Sequence, residues 1–306
     1  MDIRFAKSII GCNIEILANG ARTSLSDQFY GLVPTRATTA SGSGTRGKLP
    51  AIDTQEKLSA ALERLEALAS GSAAAKLMEA VRGKDDGRNP VDAAIDAMGL
   101  GIELVPPESA LFEQLASHVT TSDLHGLGLR LDEAFAVNVA GDAKKSGPEP
   151  SLLLYHGTRL VNMTKILRDG LLAKGHGSVQ VGAMFGSGVY LANASSKSYN
   201  YCFSGDDGLL LACETRVGKM IERFAADPEA MATAQASGYD SVRGVGRTTA
   251  TACEKPAYGD AELPTAFAEE MEGSNLLYDE YVVPDDNVKI RYVLRVSKSR
   301  KRERDE

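Results

Sequence analysis

At 306 residues the chain has room for one or two packed domains, and 43% apolar with 25% charged residues is the balance of an ordinary soluble globular protein. A net charge of −7 argues against a broad nucleic-acid-binding surface, and no apolar run approaches the ~20 residues of a membrane-spanning helix. The four cysteines, Cys12, Cys202, Cys213 and Cys253, form no Cys-x-x-Cys pair and no metal spacing, so reduced thiols in a nuclear or cytoplasmic protein are expected, with no metal. The N-terminal MDIRFAKSII has neither a long apolar core nor a small-residue cleavage pattern, so no secretory signal is expected there. The sequons at Asn162 and Asn193 then carry no glycan.

Residues 1–34 begin with apolar alternation and end in LSDQFYGLVP, which reads as a helix stopping before Pro34. TRATTASGSGTRGK (35–48) reads as a flexible loop. Within it GSGTRG (42–47) matches the dinucleotide fingerprint formally, but no strand precedes it and KLP follows in place of a helix. From Asp53 the period turns helical: Asp53 and Glu56 form a cap pair, and Leu58, Leu62, Leu65 and Leu68 recur at helical spacing. A second helix is expected over 73–81 after Gly71, a short one early in 89–106 leading into an extended segment, and another over 109–119.

Beyond about residue 105 the pattern becomes strand-rich. Strands are expected at 129–139, 151–156, 187–192, 208–217, 279–284 and 287–297. In the last, Val288, Ile290, Tyr292, Leu294 and Val296 alternate with mostly polar residues, the pattern of a half-buried strand. One helix of ordinary length intervenes, RLVNMTKILRDG (159–170), with Gly170 ending it. So many strands with so few helices imply a mixed α+β fold, not alternating βαβ units. The tail KSRKRERDE (298–306) reads either as a solvated end or as a basic import signal.

Four strings carry chemistry: LLLYHGTRL (152–160), GAMFGSGVYLANASSKSYNYC (182–202), SVRGVGRTTA (241–250) and NLLYDEYVV (275–283). Glu280 is an acidic residue in an otherwise apolar strand, unusual unless paired or functional. Its neighbour Asp279 points to the opposite face by strand alternation. SSKSYNYC reads as a short helix capped by Ser195, with Ser198 and Tyr201 three apart on one face. Taken alone, His156 could be a strand-end histidine, the two tyrosines core packing, and Lys197 a solvated helix lysine. His118, His125 and His176 are assigned nothing.

In order and spacing, these strings resemble the catalytic domain of the poly(ADP-ribose) polymerase family, the diphtheria-toxin-like ADP-ribosyltransferases. The resemblance implies a mostly antiparallel two-sheet transferase fold, preceded by a small all-α regulatory domain. With 25 residues before the matching SDQFYGLVP, that domain is expected to be shortened and family-style autoinhibition is not expected. The implied organisation is a partial helical region over 1–105, the transferase domain over 106–297 and a charged tail over 298–306.

The substrate the resemblance implies is NAD+, whose nicotinamide–ribose bond breaks through an oxocarbenium-like state as glycosides do. By the same resemblance His156 bonds the adenosine-side ribose, and Gly157, followed by Thr158, clasps the nicotinamide amide with its backbone. Ser198 also bonds that amide, Tyr190 and Tyr201 sandwich the ring, Glu280 stabilises positive charge and polarises the acceptor, and Lys197 lies on the acceptor side. Having His156, Tyr190 and Glu280 together resembles the polymer-forming members, with protein acceptors that include the chain itself. Ala183, Ser187 and Leu191 depart from the family's usual tyrosine, lysine and aromatic, which implies altered donor binding. A single-unit transferase and a non-catalytic NAD+ or ADP-ribose binding module are the rival readings. No autonomous DNA-binding pattern is seen.

Overall fold

In the computed structural model the described residues are 89–173, 183–202, 205–255 and 259–299, with isolated positions between 52 and 79. The isolated positions from Lys57 to Glu79 are helical, with Ala61 and Leu65 buried. Gly71 and Ser72 are themselves helical, so Gly71 is not the break expected there. The readings for 1–51, for Asp53 with Glu56, for His176 and for 300–306 lie outside the described residues. The elements named below belong to the compact unit formed by Ala74–Lys174 and Ala183–Glu306, whereas Gly71 belongs to the other unit.

Helix α1 (Pro90–Met98) starts where Asn89 accepts from the Val91 amide at 2.9 Å, with Pro90 in the first turn, and stops at Gly99 in the left-handed region. Strand β1 (Gly101–Leu104) follows, then α2 (Ala110–Thr121), capped by the Ser109 hydroxyl on the Phe112 amide. Next come β2 (Leu129–Asn138), β3 (Ser151–Gly157) and α3 (Leu160–Asp169), which Gly170 ends as expected. After them run β4 (Val189–Leu191), the short α4 (Ser195–Tyr199), β5 (Asp207–Arg216) and β6 (Met220–Arg223). The last third holds α5 (Ala230–Ala236), β7 (Ser241–Gly244), β8 (Gly246–Glu254), β9 (Leu263–Glu269), β10 (Leu276–Tyr278), β11 (Glu280–Val283) and β12 (Val288–Lys298). The α+β class holds. Several regions differ from expectation: SVRGVGRTTA forms β7 and the start of β8 where no strand was expected, β6, β9 and β10 are additional strands, and α5 is an additional helix.

Among the described residues the strands form three sheets where two were expected. The largest has the order β1-β2-β12-β5-β3 and is antiparallel throughout. Apolar side chains line both of its faces. Leu152, Leu154, Leu211 and Cys213 enter one core with Met163 of α3, while Leu153, Tyr155, Leu210 and Ala212 enter the other with Leu115 and Val119 of α2. Strand β12 is accordingly central, not half-buried. A bulge between Ile290 and Tyr292 shifts its phase, sending Val288, Ile290 and Val293 to one core and Leu294 and Val296 to the other.

A four-stranded sheet (β4-β11-β7-β6) and a three-stranded one (β10-β8-β9) meet where two chain segments cross. Glu280 of β11 pairs with Gly244 of β7, and Leu276 of β10 pairs with Gly246 of β8. At that crossing a Cβ on Gly246 would lie 2.3 Å from the Tyr278 carbonyl carbon, so only glycine fits. Tyr155 joins the large sheet to the four-stranded one through a two-way backbone bridge with Ala192.

His118 of α2 is buried. Its Nε2 donates to the Pro264 carbonyl at 2.8 Å, which leaves Nδ1 to accept the Tyr155 hydroxyl at 2.5 Å. Burial lowers its pKa from 6.5, opposed by the Pro264 bond and by Glu254.

Gly246→Ala should destabilise the fold by about 2 kcal/mol or more in chemical denaturation. Gly71→Ala, in open helix, should leave its region as stable or about 0.5–1 kcal/mol more stable. Because the folded pKa of His118 lies below the unfolded one, the unfolded chain binds the extra proton first. Stability should therefore fall as pH drops below 6.5 and level off below the folded value, and His118→Gln should flatten that part of the profile.

Candidate active site

Strand β3 ends at His156 and Gly157 with the bridge to Ala192 just before them. The Tyr155 carbonyl accepts from both the Ala192 amide (3.0 Å) and the Ser198 hydroxyl (2.9 Å). This anchors helix α4 to β3 at one atom. A Cβ on Gly157 would sit 1.7 Å from the Ser198 carbonyl oxygen. The glycine is thus required by α4 packing, a reason the sequence does not display. Thr158 accepts from Asn162 Nδ2 at 3.1 Å, which ties it to the first turn of α3.

His156 Nδ1 donates to the Tyr190 carbonyl at 2.9 Å, because a carbonyl can only accept. In the neutral ring Nε2 then carries the acceptor lone pair, so the tautomer is set by the strand beside it. The Tyr190 hydroxyl accepts from the Phe185 amide (3.0 Å) and donates to the Gly186 carbonyl (2.7 Å). That hydroxyl holds the turn before β4, and the ring is what the residue can offer a ligand. Burial pushes the phenol up to about 12, and the charge of Glu280 adds to it.

Helix α4 differs from expectation at its start. Ala194 is the cap position, and the Ser195 hydroxyl donates instead to the Val119 carbonyl at 2.7 Å. Ser198 is buried, whereas Tyr201, on the 3-10 turn Asn200–Cys202, is 55% exposed. Its hydroxyl is also raised by desolvation and by Glu280, so Tyr190 and Tyr201 share the field of one carboxylate.

Glu280 opens β11 with its side chain 13% exposed, and Lys197 Nζ lies 3.6 Å from its Oε1. Lys197 is not a solvated lysine. Its Nζ donates to the carbonyls of Tyr278 (3.3 Å) and Asp279 (3.0 Å), and burial lowers its pKa against the opposing pull of Glu280 and Asp279. Lysine responds readily to such burial. The structure therefore gathers His156, Gly157, Tyr190, Lys197, Ser198, Tyr201 and Glu280 around the ends of β3, β4 and β11, with Thr158 leading out into α3. Among the described residues no group of three His, Cys, Asp or Glu side chains could hold a metal ion.

Two features escaped the sequence reading. His125, assigned nothing, stacks edge-on against Tyr278 with ring centres 4.6 Å apart, and its Nδ1 lies 2.8 Å from the Ser196 hydroxyl. Asp279 does face away from Glu280, but it is wholly buried and bonded to Asn193, Arg243, Gly246 and Thr249. The signal was present in a second acid inside the same apolar string, which needs partners as much as the first, although residue 279 itself lies between β10 and β11.

Chemically, the arrangement offers two aromatic rings, one carboxylate held beside one ammonium, and a histidine of fixed tautomer. Such a set suits a flat, neutral-to-cationic ring joined to a sugar whose hydroxyls a carboxylate can accept from.

Comparison with known proteins agrees with this chemistry. Residues 112–298, more than half of the chain, match the poly(ADP-ribose) polymerase catalytic domain. The chain is 33% identical over 259 residues to poly [ADP-ribose] polymerase 2 of Arabidopsis thaliana, covering 80% of this chain and 40% of that protein. It is 30% identical over 261 residues to poly [ADP-ribose] polymerase 2 of Homo sapiens, covering 81% and 44%. With poly [ADP-ribose] polymerase 1 of Xenopus laevis the identity is 30% over 296 residues, covering 92% and 28%. The chain thus spans less than half the length of each of these relatives. On the domain match, with the site residues gathered as described, the chain belongs to the poly(ADP-ribose) polymerase catalytic domain family.

Proposed function

We propose that this chain cleaves the nicotinamide–ribose bond of NAD+, transfers ADP-ribose to protein side chains, and extends it into poly(ADP-ribose). The observation that carries the reading is Glu280: a largely buried carboxylate held beside Lys197, within the field of both Tyr190 and Tyr201. The names of the relatives supply the polymer.

In this reading nicotinamide lies between the rings of Tyr190 and Tyr201, each contact contributing about 1 kcal/mol. Its amide meets the Gly157 backbone and Ser198. Because the Ser198 hydroxyl already donates to the Tyr155 carbonyl, its oxygen serves the amide as an acceptor. His156 bonds the adenosine-side ribose, with Thr158 beside it at the start of α3.

Nicotinamide is a good leaving group, so little acid catalysis is needed at its nitrogen. The barrier falls when negative charge is held close to the anomeric carbon, and Glu280 supplies it while accepting from a ribose hydroxyl. In elongation the same carboxylate accepts from the hydroxyl of the incoming chain, and Lys197 steers that chain's pyrophosphate. Acceptors are protein side chains, the chain itself among them. This reading assigns a partial helical regulatory-like region to 1–105, to which β1 is an exception in pairing with the transferase sheet. Residues 106–297 are the transferase domain.

With NAD+ labelled in its adenylate half, the wild type should give a high-molecular-weight smear on a denaturing gel, and Glu280→Gln should cut incorporation at least 10²-fold. A discrete band from the wild type would replace the polymer with a single unit. Absence of label in both proteins, with NAD+ binding intact by calorimetry, would replace the enzyme with a binding module. Gly157→Ala must push β3 and α4 apart, so the KM for NAD+ should rise at least tenfold in initial-rate measurements while a cooperative melt persists.

A further inference from the structure

Asp279 accepts four hydrogen bonds while wholly buried. Its Oδ2 takes Asn193 Nδ2 (2.9 Å), Thr249 Oγ1 (2.8 Å) and an Arg243 guanidinium nitrogen (3.0 Å), and its Oδ1 takes the Gly246 amide (2.9 Å). The donors come from the segment after β4, from β7 and from β8, so one side chain ties together the strands that cross at this point. Arg243 also donates to Thr249 Oγ1 at 2.5 Å and reaches the partly exposed Glu222 at 3.4 Å.

The backbone of the same residue is held from its other side. Lys197 Nζ donates to the Asp279 carbonyl at 3.0 Å and to the Tyr278 carbonyl at 3.3 Å, and lies 3.6 Å from Glu280. Residue 279 is therefore clamped twice, by its carboxylate from within and by its carbonyl from the site. Glu280 is the next residue along and the first of β11, so the double hold on the junction residue 279 fixes the backbone from which Glu280 projects.

We propose that Asp279, paired with Arg243, is the positioning residue for Glu280. It fixes where the Glu280 carboxylate and the Lys197 ammonium stand, and it touches no substrate itself. The charge is what the role requires. A neutral amide of equal size would leave Arg243 without its buried anion and turn an N–H2 toward the Gly246 amide or the guanidinium. A small shift of a reacting group is enough to cost a large factor in rate.

This inference rests on the transferase reading, and the experiment separates the two. Wild type and Asp279→Asn are compared for kcat and for the KM of NAD+, with the folded fraction of each taken from its melt. Thr249→Val, which removes one donor and keeps both charges, takes the place of Asp279→Asn if that variant does not fold. The expected result is a kcat at least tenfold lower per folded molecule in Asp279→Asn and severalfold lower in Thr249→Val, with KM within twofold of wild type. A kcat within twofold of wild type, or a loss fully accounted for by unfolded protein, overturns the proposal. If the wild type itself shows no turnover, the transferase reading has failed, and backbone hydrogen exchange decides the positioning role. Amides 278–283 should exchange at least tenfold faster in Asp279→Asn than in wild type. Equal rates overturn it.

Discussion

The backbone splice between β3 and the segment following β4 is the constraint on which the half of the site around His156, Tyr190 and Ser198 depends. Tyr155 and Ala192 exchange amide-to-carbonyl bonds at 2.8 and 3.0 Å, which locks the large sheet to the four-stranded one at a single residue pair. With that pair fixed, His156 falls opposite the Tyr190 carbonyl and takes one tautomer. Helix α4 must then lie close enough for Ser198 to reach the Tyr155 carbonyl, which leaves Gly157 no space for a side chain. Four site residues, His156, Gly157, Tyr190 and Ser198, are thus placed largely by main-chain geometry. Sites built this way lose little on ordering when a ligand arrives.

The half of the site around Lys197 and Glu280 depends on charge instead. Two neighbouring acids have opposite fates. Asp279 is sealed among four donors, and Glu280 faces the site beside an ammonium. Asp279 stands at the junction between β10 and β11, outside both strands, so its carboxylate is placed by its four donors and not by strand alternation. Burying a carboxylate is costly unless it is paired and hydrogen-bonded, and the pairing of Asp279 with Arg243 meets that condition at the point where two chain segments cross. Lys197 links the two acids by bonding the carbonyl of one and standing 3.6 Å from the carboxylate of the other.

Much of this was legible in the sequence, and what was not has identifiable physical causes. The bounds of β2, β3, β5, β12 and α3 agree with their patterns to within about two residues, because long apolar runs and a glycine stop are local signals. Strands β7 and β8 were hidden by glycines and threonines. Gly244 and Gly246 are there because Phe185 and Tyr278 pack where their side chains would be, a long-range cause that imitates loop composition. Helix α5 is built from small residues and shows little periodicity. The alternation in β12 is real, but a bulge near Arg291 changes its meaning from half-buried to central. A side chain at residue 157 would meet the Ser198 carbonyl, a contact between β3 and α4 that no local pattern displays.

The central claim is that this site breaks the bond between nicotinamide and ribose and leaves the ADP-ribose on protein. Quenched-flow counting of nicotinamide released from NAD+ labelled in the ring, set against ADP-ribose bound to precipitated protein, tests it most directly. The account predicts matching release and attachment in the wild type, with both lost together in Glu280→Gln. Release without attachment would make the protein a hydrolase of NAD+, and undiminished matched release in Glu280→Gln would remove Glu280 from the chemistry.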